Sequence, residues 1–329
     1  MTTLAPDLET FFTDRLLCQR NVSPNTIACY RDAFRLLLAF LQQRTGTPPE
    51  KLQITDLDAP TIGAFLEHLE HDRGNSARTR NIRLAAVRSF FHYCALRHPE
   101  HASLIQRVLA IPTKRSERRI VTFLTPAELE ALLQSPDRAT WAGRRDHALL
   151  LCAAQTGLRI SELLRLTLAD VQLGPGPHLR TFGKGRKHRV APLTRQTVAV
   201  LRVWIRELAP EPTNPLFPSR TGGALTRDAV ERRLAKHLTA AQRTCPTLSA
   251  KHVTMHSLRH TAAMTLLRVG IDTATIALWL GHEQERTTRV YLHADLELKQ
   301  RVLDRTTPPD SRPGRYRPPH ALLDFLNGL

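Results

Sequence analysis

Apolar residues recur at helical spacing through most of the first hundred positions. Ser23 followed by Pro24 is typical of an N-cap and the first position of a helix, and Gly46 supplies its end. The apolar stripe of this helix consists of Ile27, Tyr30, Phe34, Leu37, Leu38 and Leu41. Further helices are predicted from Thr61 to Glu70 and from about Ala77 to Leu96. The pattern therefore indicates a small helical N-terminal domain.

A different mixture of patterns follows from residue 125. Thr125, Pro126 and Glu128 form the start of a helix with a capping box, and a nearly continuous apolar helix is predicted from about Arg145 to Gln155. Amphipathic helices are predicted at Thr194–Leu208 and Thr226–Thr239. Before the first of these helices, strand patterns cover Leu168–Leu173, His178–Phe182 and Arg186–Pro192. The last two flank Gly-Lys-Gly as a hairpin. We predict a mainly α fold with a small antiparallel β-sheet.

Composition shifts divide the chain into four parts. We predict a helical domain over residues 1–110 and a basic linker over 111–122, where charged residues follow a proline without apolar periodicity. An α+β domain is expected over 123–305. Residues 306–329 are a proline-rich tail that ends in a short apolar segment, Leu322–Leu326, suited to docking on a groove.

The charge of the chain points to a polyanionic partner. Its 47 lysines and arginines exceed its 30 acidic residues, which gives a net charge of +17, and nucleic acid is the commonest partner of such a protein. Five scattered cysteines without a C-x-x-C pair argue against a disulfide framework and fit a reducing cytoplasm. Neither a signal peptide nor a membrane-spanning apolar run is evident.

Two groups of basic residues are candidate DNA contacts. Arg80, Arg83 and Arg88 lie on the helix predicted from Ala77, where we favour phosphate contact over a merely solvated surface. Lys114 and Arg115 in the linker could lie on a DNA backbone or simply keep the linker solvated, and the sequence favours neither.

Four chemically active residues lie between Thr254 and His293. His256 and Arg259 are three apart on a predicted helix, His282 follows Gly281 at the end of another, and Tyr291 stands nine residues further on. A guanidinium, two imidazoles and a phenol suit an anionic, tetrahedral substrate. Tyrosine would attack phosphorus, and the histidines would activate the tyrosine or hydrogen-bond the phosphate.

Two further residues are candidates for a role in cleaving a phosphodiester. Arg159, in T-G-L-R-I-S-E-L, would join Arg259 on the non-bridging oxygens, although a salt bridge to Glu162 is the plainer explanation of this arginine alone. Lys184 at the hairpin tip would protonate the leaving oxygen, although most such lysines are only solvated. The spacing of His252, His256 and His260 could suggest a metal, but without H-E-x-x-H or a carboxylate cluster none is expected.

These motifs, in this order, resemble the tyrosine recombinase (phage integrase) family: T-G-L-R-I-S-E-L, the G-K-G hairpin, H-S-L-R-H-T, L-G-H and R-V-Y-L-H. The S-P-N-T-I-A-C-Y-R-D-A-F-R helix resembles the N-terminal core-binding domain of that family. By this resemblance the catalytic residues are Arg159, Lys184, His256, Arg259, His282 and the nucleophile Tyr291, with Glu162 in support. Lys187 is an alternative to Lys184.

The resemblance implies a SAM-like helical domain and an α+β catalytic domain that form a C-shaped clamp around DNA. It implies cleavage and rejoining of specific sites in double-stranded DNA through a 3′-phosphotyrosine, without metal or nucleotide cofactor. Strand exchange would pass through a Holliday junction in a tetramer, with a second recombinase or an accessory factor as a further candidate partner. A cytoplasmic, nucleoid-associated enzyme is expected, acting as a mobile-element integrase or a Xer-like resolvase.

Two other functions remain open at this point. A type IB-like topoisomerase would use the same chemistry to relax supercoils without pairing two sites. A non-catalytic DNA-binding protein could have kept the fold alone. The complete residue set argues against the second alternative, and the integrase-like N-terminal domain argues against the first.

Overall fold

The computed structural model describes residues 3–115, 121–182, 188–281, 288 and 291. The chain forms two compact units, Met1–Arg118 and Arg119–Leu329. The helices of the first unit are α1 (Leu4–Thr10), α2 (Pro24–Thr45), α3 (Ala59–His71), α4 (Ala77–Cys94) and α5 (Ala102–Leu109), with a π-helical segment, Phe11–Gln19, after α1. The second unit contains α6 (Pro126–Gln134), α7 (Trp141–Thr156), α8 (Ile160–Leu163), α9 (Arg195–Ile205), α10 (Arg227–Ala241), α11 (Met255–Arg268) and α12 (Thr273–Leu280). Its strands are β1 (Val171–Gln172), β2 (His178–Phe182) and β3 (His188–Pro192).

The first unit is helical, as predicted, and its helices begin where the chain offers caps. The Ser23 hydroxyl accepts from the Thr26 amide at the start of α2, and the left-handed Gly46 ends the helix. Burial of aromatic side chains holds the unit together: Phe11, Phe34 and Phe90 meet edge to face with centroids 5.4–6.3 Å apart. Helices α1 and α5 were not predicted, because both are too short to show a repeated apolar period.

The second unit packs its helices around a long buried helix. The capping box predicted at Thr125 is present, with the Glu128 carboxylate accepting from the Thr125 amide at 2.8 Å. Helix α7 is buried along most of its length and packs against α9 and α11. The apolar run from Arg145 to Gln155 is therefore the centre of the core, with one more turn at its N-terminal end than the sequence indicated.

The small sheet has the order β1-β2-β3 and is antiparallel throughout. Strands β2 and β3 pair as the predicted hairpin, and the tip between them lies outside the described residues. The predicted strand Leu168–Leu173 was wrong in its first half, where Leu168–Asp170 form a 3₁₀ turn. The cause is local: the Asp170 carboxylate accepts from both the amide and the hydroxyl of Thr167 at 2.9 Å, which closes a turn instead of extending the chain.

The fold class is the predicted one, mainly α with a small antiparallel sheet. Within the part of the chain that the structure describes, no helix combines the length and the apolar character needed to cross a bilayer.

Candidate active site

Two helix ends and one helix meet around Gly157. Gly157 ends α7 and Gly281 ends α12, both in the left-handed conformation, with φ of 63° and 64°. A Cβ atom on Gly157 would lie 2.6 Å from Leu280 Cδ2 and 3.2 Å from Ala262 of α11. Only glycine therefore lets the carbonyl ends of α7 and α12 come together beside α11.

Arg259 enters this junction from α11 and is 2% exposed. Its Nη1 donates to the Gly157 carbonyl at 2.6 Å, and its Nη2 donates to the Leu280 carbonyl at 2.7 Å. Both carbonyls lie at helix C-termini, where the helix dipole stabilises a cation. Burial, followed by the charges of Arg159 and Arg189, lowers the Arg259 pKa to about 10, so the guanidinium is still charged at neutral pH.

Arg159 stands directly before α8 at the same junction. Its Nη1 donates to Glu162 Oε1 at 2.8 Å, and its Nη2 donates to the Gly281 carbonyl at 3.1 Å. Glu162 Oε2 also accepts from the Arg159 amide at 2.8 Å. Arg159 can therefore form the salt bridge with Glu162 and still take part in the predicted site. Its side chain remains 31% exposed.

Arg189, which lies on β3, was not among the residues predicted from the sequence. This arginine is about nine-tenths buried and forms an ion pair with Glu162 Oε2 at 3.4 Å. Its Nη1 also donates to the Leu280 carbonyl. Burial lowers its pKa, and Glu162 opposes that shift. Alternation along a strand indicates which side chains share a face, but it does not show that a buried cation will meet a carboxylate there.

Tyr291 is enclosed beside these guanidinium groups. Its side chain is 1% exposed and packs with residues of α11 and α12, including Met264 and Ile276. Burial raises the pKa of Tyr291 to about 12, while the charges of Arg259 and Arg159 act in the opposite direction. The phenol therefore lies within the field of both predicted phosphate-binding arginines.

The Tyr291 hydroxyl meets a histidine that the family motif did not select. His260 Nδ1 lies 3.0 Å from the hydroxyl oxygen. His256, one helical turn earlier, packs its ring edge to face against His260 at a centroid distance of 4.3 Å. His256 is exposed although Arg259 on the same helix is buried. Partial desolvation, and then Arg259, Arg159 and Arg227, lower the pKa of His256 and favour its neutral form.

The sequence that forms this site matches a protein family, and the matches cover most of the chain. The Phage integrase family matches residues 122–297, and its N-terminal SAM-like domain matches residues 10–98. The chain is a tyrosine recombinase of the phage integrase family. Its predicted activity, that of a site-specific DNA recombinase, is thereby confirmed, and neither alternative function gains support.

Relatives of this recombinase cover nearly its whole length. An integrase/recombinase of Sinorhizobium fredii named y4rC is 52% identical over 326 residues, covering 99% of this chain and 98% of its own. The tyrosine recombinase XerD of Pseudomonas putida is 33% identical over 289 residues, covering 86% of this chain and 91% of its own.

Solved structures show the same fold at lower identity. The XerH site-specific recombinase bound to palindromic difH substrate has a TM-score of 0.68 at 23% identity, covering 87% of this chain and 81% of its own. The Tn1549 transposon integrase in complex with a circular intermediate DNA has a TM-score of 0.68 at 18% identity, covering 93% of this chain and 100% of its own. The helical SAM-like domain and the catalytic domain of the predicted fold are confirmed.

Three of the arginines predicted to contact DNA form hydrogen bonds within the N-terminal unit. Arg80 is 7% exposed and donates to the Pro112 carbonyl at 3.0 Å. Arg88 donates to the Ile111 carbonyl, and Arg83 to the Cys29 carbonyl at 2.9 Å. These arginines fasten neighbouring backbone to α4, so their contact with phosphate stays a prediction.

Lys114 and Arg115 differ from those three arginines in exposure. Both side chains are exposed, and Lys114 Nζ pairs with Glu70 at 2.7 Å. They are therefore the more accessible of the predicted DNA contacts. Lys184, its alternative Lys187 and His282 lie outside the described residues. The described residues contain no group of three or more His, Cys, Asp or Glu side chains placed to hold a metal ion.

Proposed function

We propose that this recombinase cleaves and rejoins specific sites in double-stranded DNA through a covalent 3′-phosphotyrosine on Tyr291. The observation that carries the proposal is the position of Tyr291 within the field of Arg259 and Arg159, beside the junction of α7, α11 and α12. A tyrosine nucleophile beside two guanidinium groups suits the transfer of a phosphodiester to the protein, because the guanidinium groups stabilise the charge that grows on the phosphate.

The two arginines would bind the non-bridging oxygens of the scissile phosphate. Negative charge grows on these oxygens as the pentacoordinate transition state forms, and a guanidinium offers two parallel donors to them. Arg259 is fixed in advance by two carbonyls, so little reorganisation accompanies the reaction. Arg159 is more exposed and would turn one edge to the phosphate while Glu162 holds the other.

The remaining roles fall to residues near the ends of described elements. Lys184, which lies in the sequence between β2 and β3, would protonate the leaving 5′-oxygen, because a lysine ammonium can act as a general acid. His282, next after Gly281, would hydrogen-bond the phosphate. His256 is exposed beside the site and would assist the activation of the tyrosine.

The wider reaction would involve DNA and further protomers. A net charge of +17 supports DNA binding, and solved relatives are bound to difH substrate or to a circular intermediate DNA. We propose a tetramer that exchanges strands through a Holliday junction, assisted by a second recombinase or an accessory factor. Residues 1–110 would grip one face of the site, the 111–122 linker would follow the backbone, and residues 123–305 would carry the chemistry. The reaction would take place at the nucleoid.

A nicked substrate tests the proposed nucleophile. Duplex DNA from the natural flanks of the gene is nicked beside each candidate phosphate, so that the released fragment diffuses away and the covalent complex accumulates. The complex is then measured on a denaturing gel. We expect a band with the wild type, none with Tyr291→Phe, and an undiminished band with Tyr93→Phe, which removes a phenol hydroxyl in the other unit.

The band is informative in either direction. If Tyr291→Phe still forms it, the nucleophile is another tyrosine, and Tyr316→Phe is the next variant. In that case the proposal for Tyr291 fails, and a band that also persists with Tyr316→Phe would exclude both of these tyrosines.

Salt dependence tests the accessible DNA contacts. Each phosphate contact contributes about one unit to the slope of log affinity against log salt. We expect Lys114→Ala to reduce the slope by about 1 and Arg80→Lys to leave it unchanged, because the Arg80 side chain is buried. Equal slopes for Lys114→Ala and the wild type would remove Lys114 from the interface.

A further inference from the structure

The Tyr291 hydroxyl has a basic partner within hydrogen-bond reach, and that partner is His260. We propose that His260 accepts the phenolic proton when Tyr291 attacks the scissile phosphate, and that His256 connects His260 to solvent. This inference rests on the proposed role of Tyr291 as nucleophile. It moves the activation of the tyrosine from the histidine of the His-x-x-Arg pair to the histidine that follows the arginine.

Distance and burial select His260. A general base must lie about 2.6–3.2 Å from the proton-bearing atom, and His260 Nδ1 lies 3.0 Å from the hydroxyl oxygen. Tyr291 is 1% exposed, so bulk water does not collect the proton directly. The rings of His260 and Tyr291 meet edge to face with centroids 5.5 Å apart, which keeps the imidazole nitrogen directed at the phenol.

His256 is placed to serve the second stage of proton transfer. Its ring packs on that of His260 at 4.3 Å, and its side chain is exposed. The two histidines are four residues apart on α11 and therefore lie on one face of the helix. Together they lead from a buried phenol to the surface.

The proton and the bonds balance as follows. Neutral His260 carries its proton on Nε2 and accepts through Nδ1. As the bond from the Tyr291 oxygen to phosphorus forms, the phenolic proton passes to Nδ1 and the bond from phosphorus to the 5′-oxygen breaks. The general acid, proposed to be Lys184, protonates that leaving oxygen. Rejoining reverses each transfer, and His260 returns the proton to Tyr291.

Substitution with asparagine separates proton acceptance from positioning. An asparagine at 260 keeps an acceptor oxygen close to the place of Nδ1 but has no basicity, whereas alanine removes both properties. On a site where the wild type forms the covalent complex, we expect both His260→Asn and His260→Ala to slow the reaction by about 10²–10⁴-fold. We expect His256→Asn to slow it less. Melting temperature and DNA affinity control for folding, and His260→Gln is the second variant if Asn destabilises α11.

A modified substrate identifies which side of the reaction has been damaged. A 5′-bridging phosphorothiolate leaves as a thiolate, which does not require a general acid. We expect His260→Asn to stay slow on this substrate and Lys184→Ala to recover, because only the lysine acts on the leaving group.

Three results would overturn the inference. They are a near-wild-type rate for His260→Asn, a larger defect in His256→Asn than in His260→Asn, or recovery of His260→Asn on the phosphorothiolate. The first would show that His260 only positions the phenol. Tyr291→Phe is run in parallel: if it still forms the complex, the proposed function itself has failed, whereas loss of the complex there with normal His260→Asn refutes this inference alone.

Discussion

Two buried arginines of the catalytic unit are stabilised in different ways. Arg145, on α7, is fully buried, donates to Asp146 Oδ1 from Nε at 3.0 Å and from Nη2 at 2.8 Å, and lies over the Trp141 ring. Arg259, on α11, is almost equally buried, but its two hydrogen bonds go to backbone carbonyls. Among the described residues, no carboxylate lies within ion-pair distance of Arg259.

The difference separates a structural cation from one prepared for a ligand. A carboxylate neutralises Arg145 and fixes its role within the core. The carbonyls at two helix ends orient Arg259 and reduce the cost of burying it, yet the positive charge is not cancelled. The remaining charge fits the proposed role of Arg259 in binding a phosphate, which would bring the neutralising charge with it.

The largest expected effect is on stability. Arg145→Met would leave the buried Asp146 carboxylate with only Arg233 and His237 as partners, and we expect a loss of about 3 kcal/mol in the free energy of unfolding. Arg259→Met leaves only the Gly157 carbonyl without its donor, because Arg189 still donates to the Leu280 carbonyl, and we expect a loss of about 1–3 kcal/mol. Urea unfolding measures both values. Equal losses in the free energy of unfolding would contradict the proposed difference in how the two arginines are stabilised.

The second effect is on catalysis. Lysine is a point charge that cannot donate in parallel to a phosphate while keeping both carbonyls. We expect Arg259→Lys to reduce the rate of covalent-complex formation about 10²–10³-fold. The matched variant, Arg145→Lys, should react at the wild-type rate per folded molecule. A rate unaffected by Arg259→Lys would contradict the prepared-cation interpretation.

A smaller effect concerns the glycine that supplies one of the carbonyls. Gly157→Ala introduces a Cβ that would lie 2.6 Å from Leu280 Cδ2, whereas Gly46→Ala, also at a left-handed position, meets nothing within 4 Å. Both variants place a Cβ atom on a left-handed backbone. The difference between their losses of stability therefore measures the overpacking against Leu280, for which we expect about 1–3 kcal/mol. Thermal unfolding of the two variants gives this difference, and a value near zero would show that α12 yields freely.

The last effect appears only in acid. His237 and Arg145 hold the pKa of the Asp146 carboxyl below its usual value against the effect of burial. Its stabilising contribution is therefore complete above the pKa of an unfolded aspartate, about 3.9, and is lost as pH falls through the lower folded pKa. We expect the stability difference between the wild type and Asp146→Asn to shrink as urea titrations move from pH 7 to pH 3. A constant difference would contradict it.

Local chemistry explains which parts of the fold and site could be predicted. Ser23, Thr125 and Thr254 cap helices through side chains that bond amides three residues away, so the starts of those helices could be predicted from the sequence. Gly157 and Gly281 were recognisable as helix ends because glycine takes the left-handed conformation without steric cost. Arg159, Arg259 and Tyr291 could be grouped because their motifs carry a known order.

The unpredicted contacts all join distant segments. Arg189 meets Glu162 and the end of α12 only because the hairpin packs there, and His260 meets Tyr291 across 31 residues of chain. Arg80 had been expected on a DNA-facing surface, but it is turned toward the Pro112 carbonyl by the path of the chain after α5. Side-chain direction of this kind depends on tertiary packing, which periodicity does not determine.

The enclosure of Tyr291 has a consequence for fidelity. A recombinase that searches a genome meets a vast excess of phosphodiesters in the wrong sequence. With the hydroxyl buried and its pKa near 12, almost none of the tyrosine is phenolate at neutral pH, and a passing phosphate does not touch it. If Tyr291 is the nucleophile, as proposed, a phosphate reaches it only after a rearrangement that opens its surroundings and leaves the hydroxyl beside His260. If only the correct, fully engaged site supplies the binding energy for that rearrangement, the packing of one side chain protects the rest of the genome from nicking.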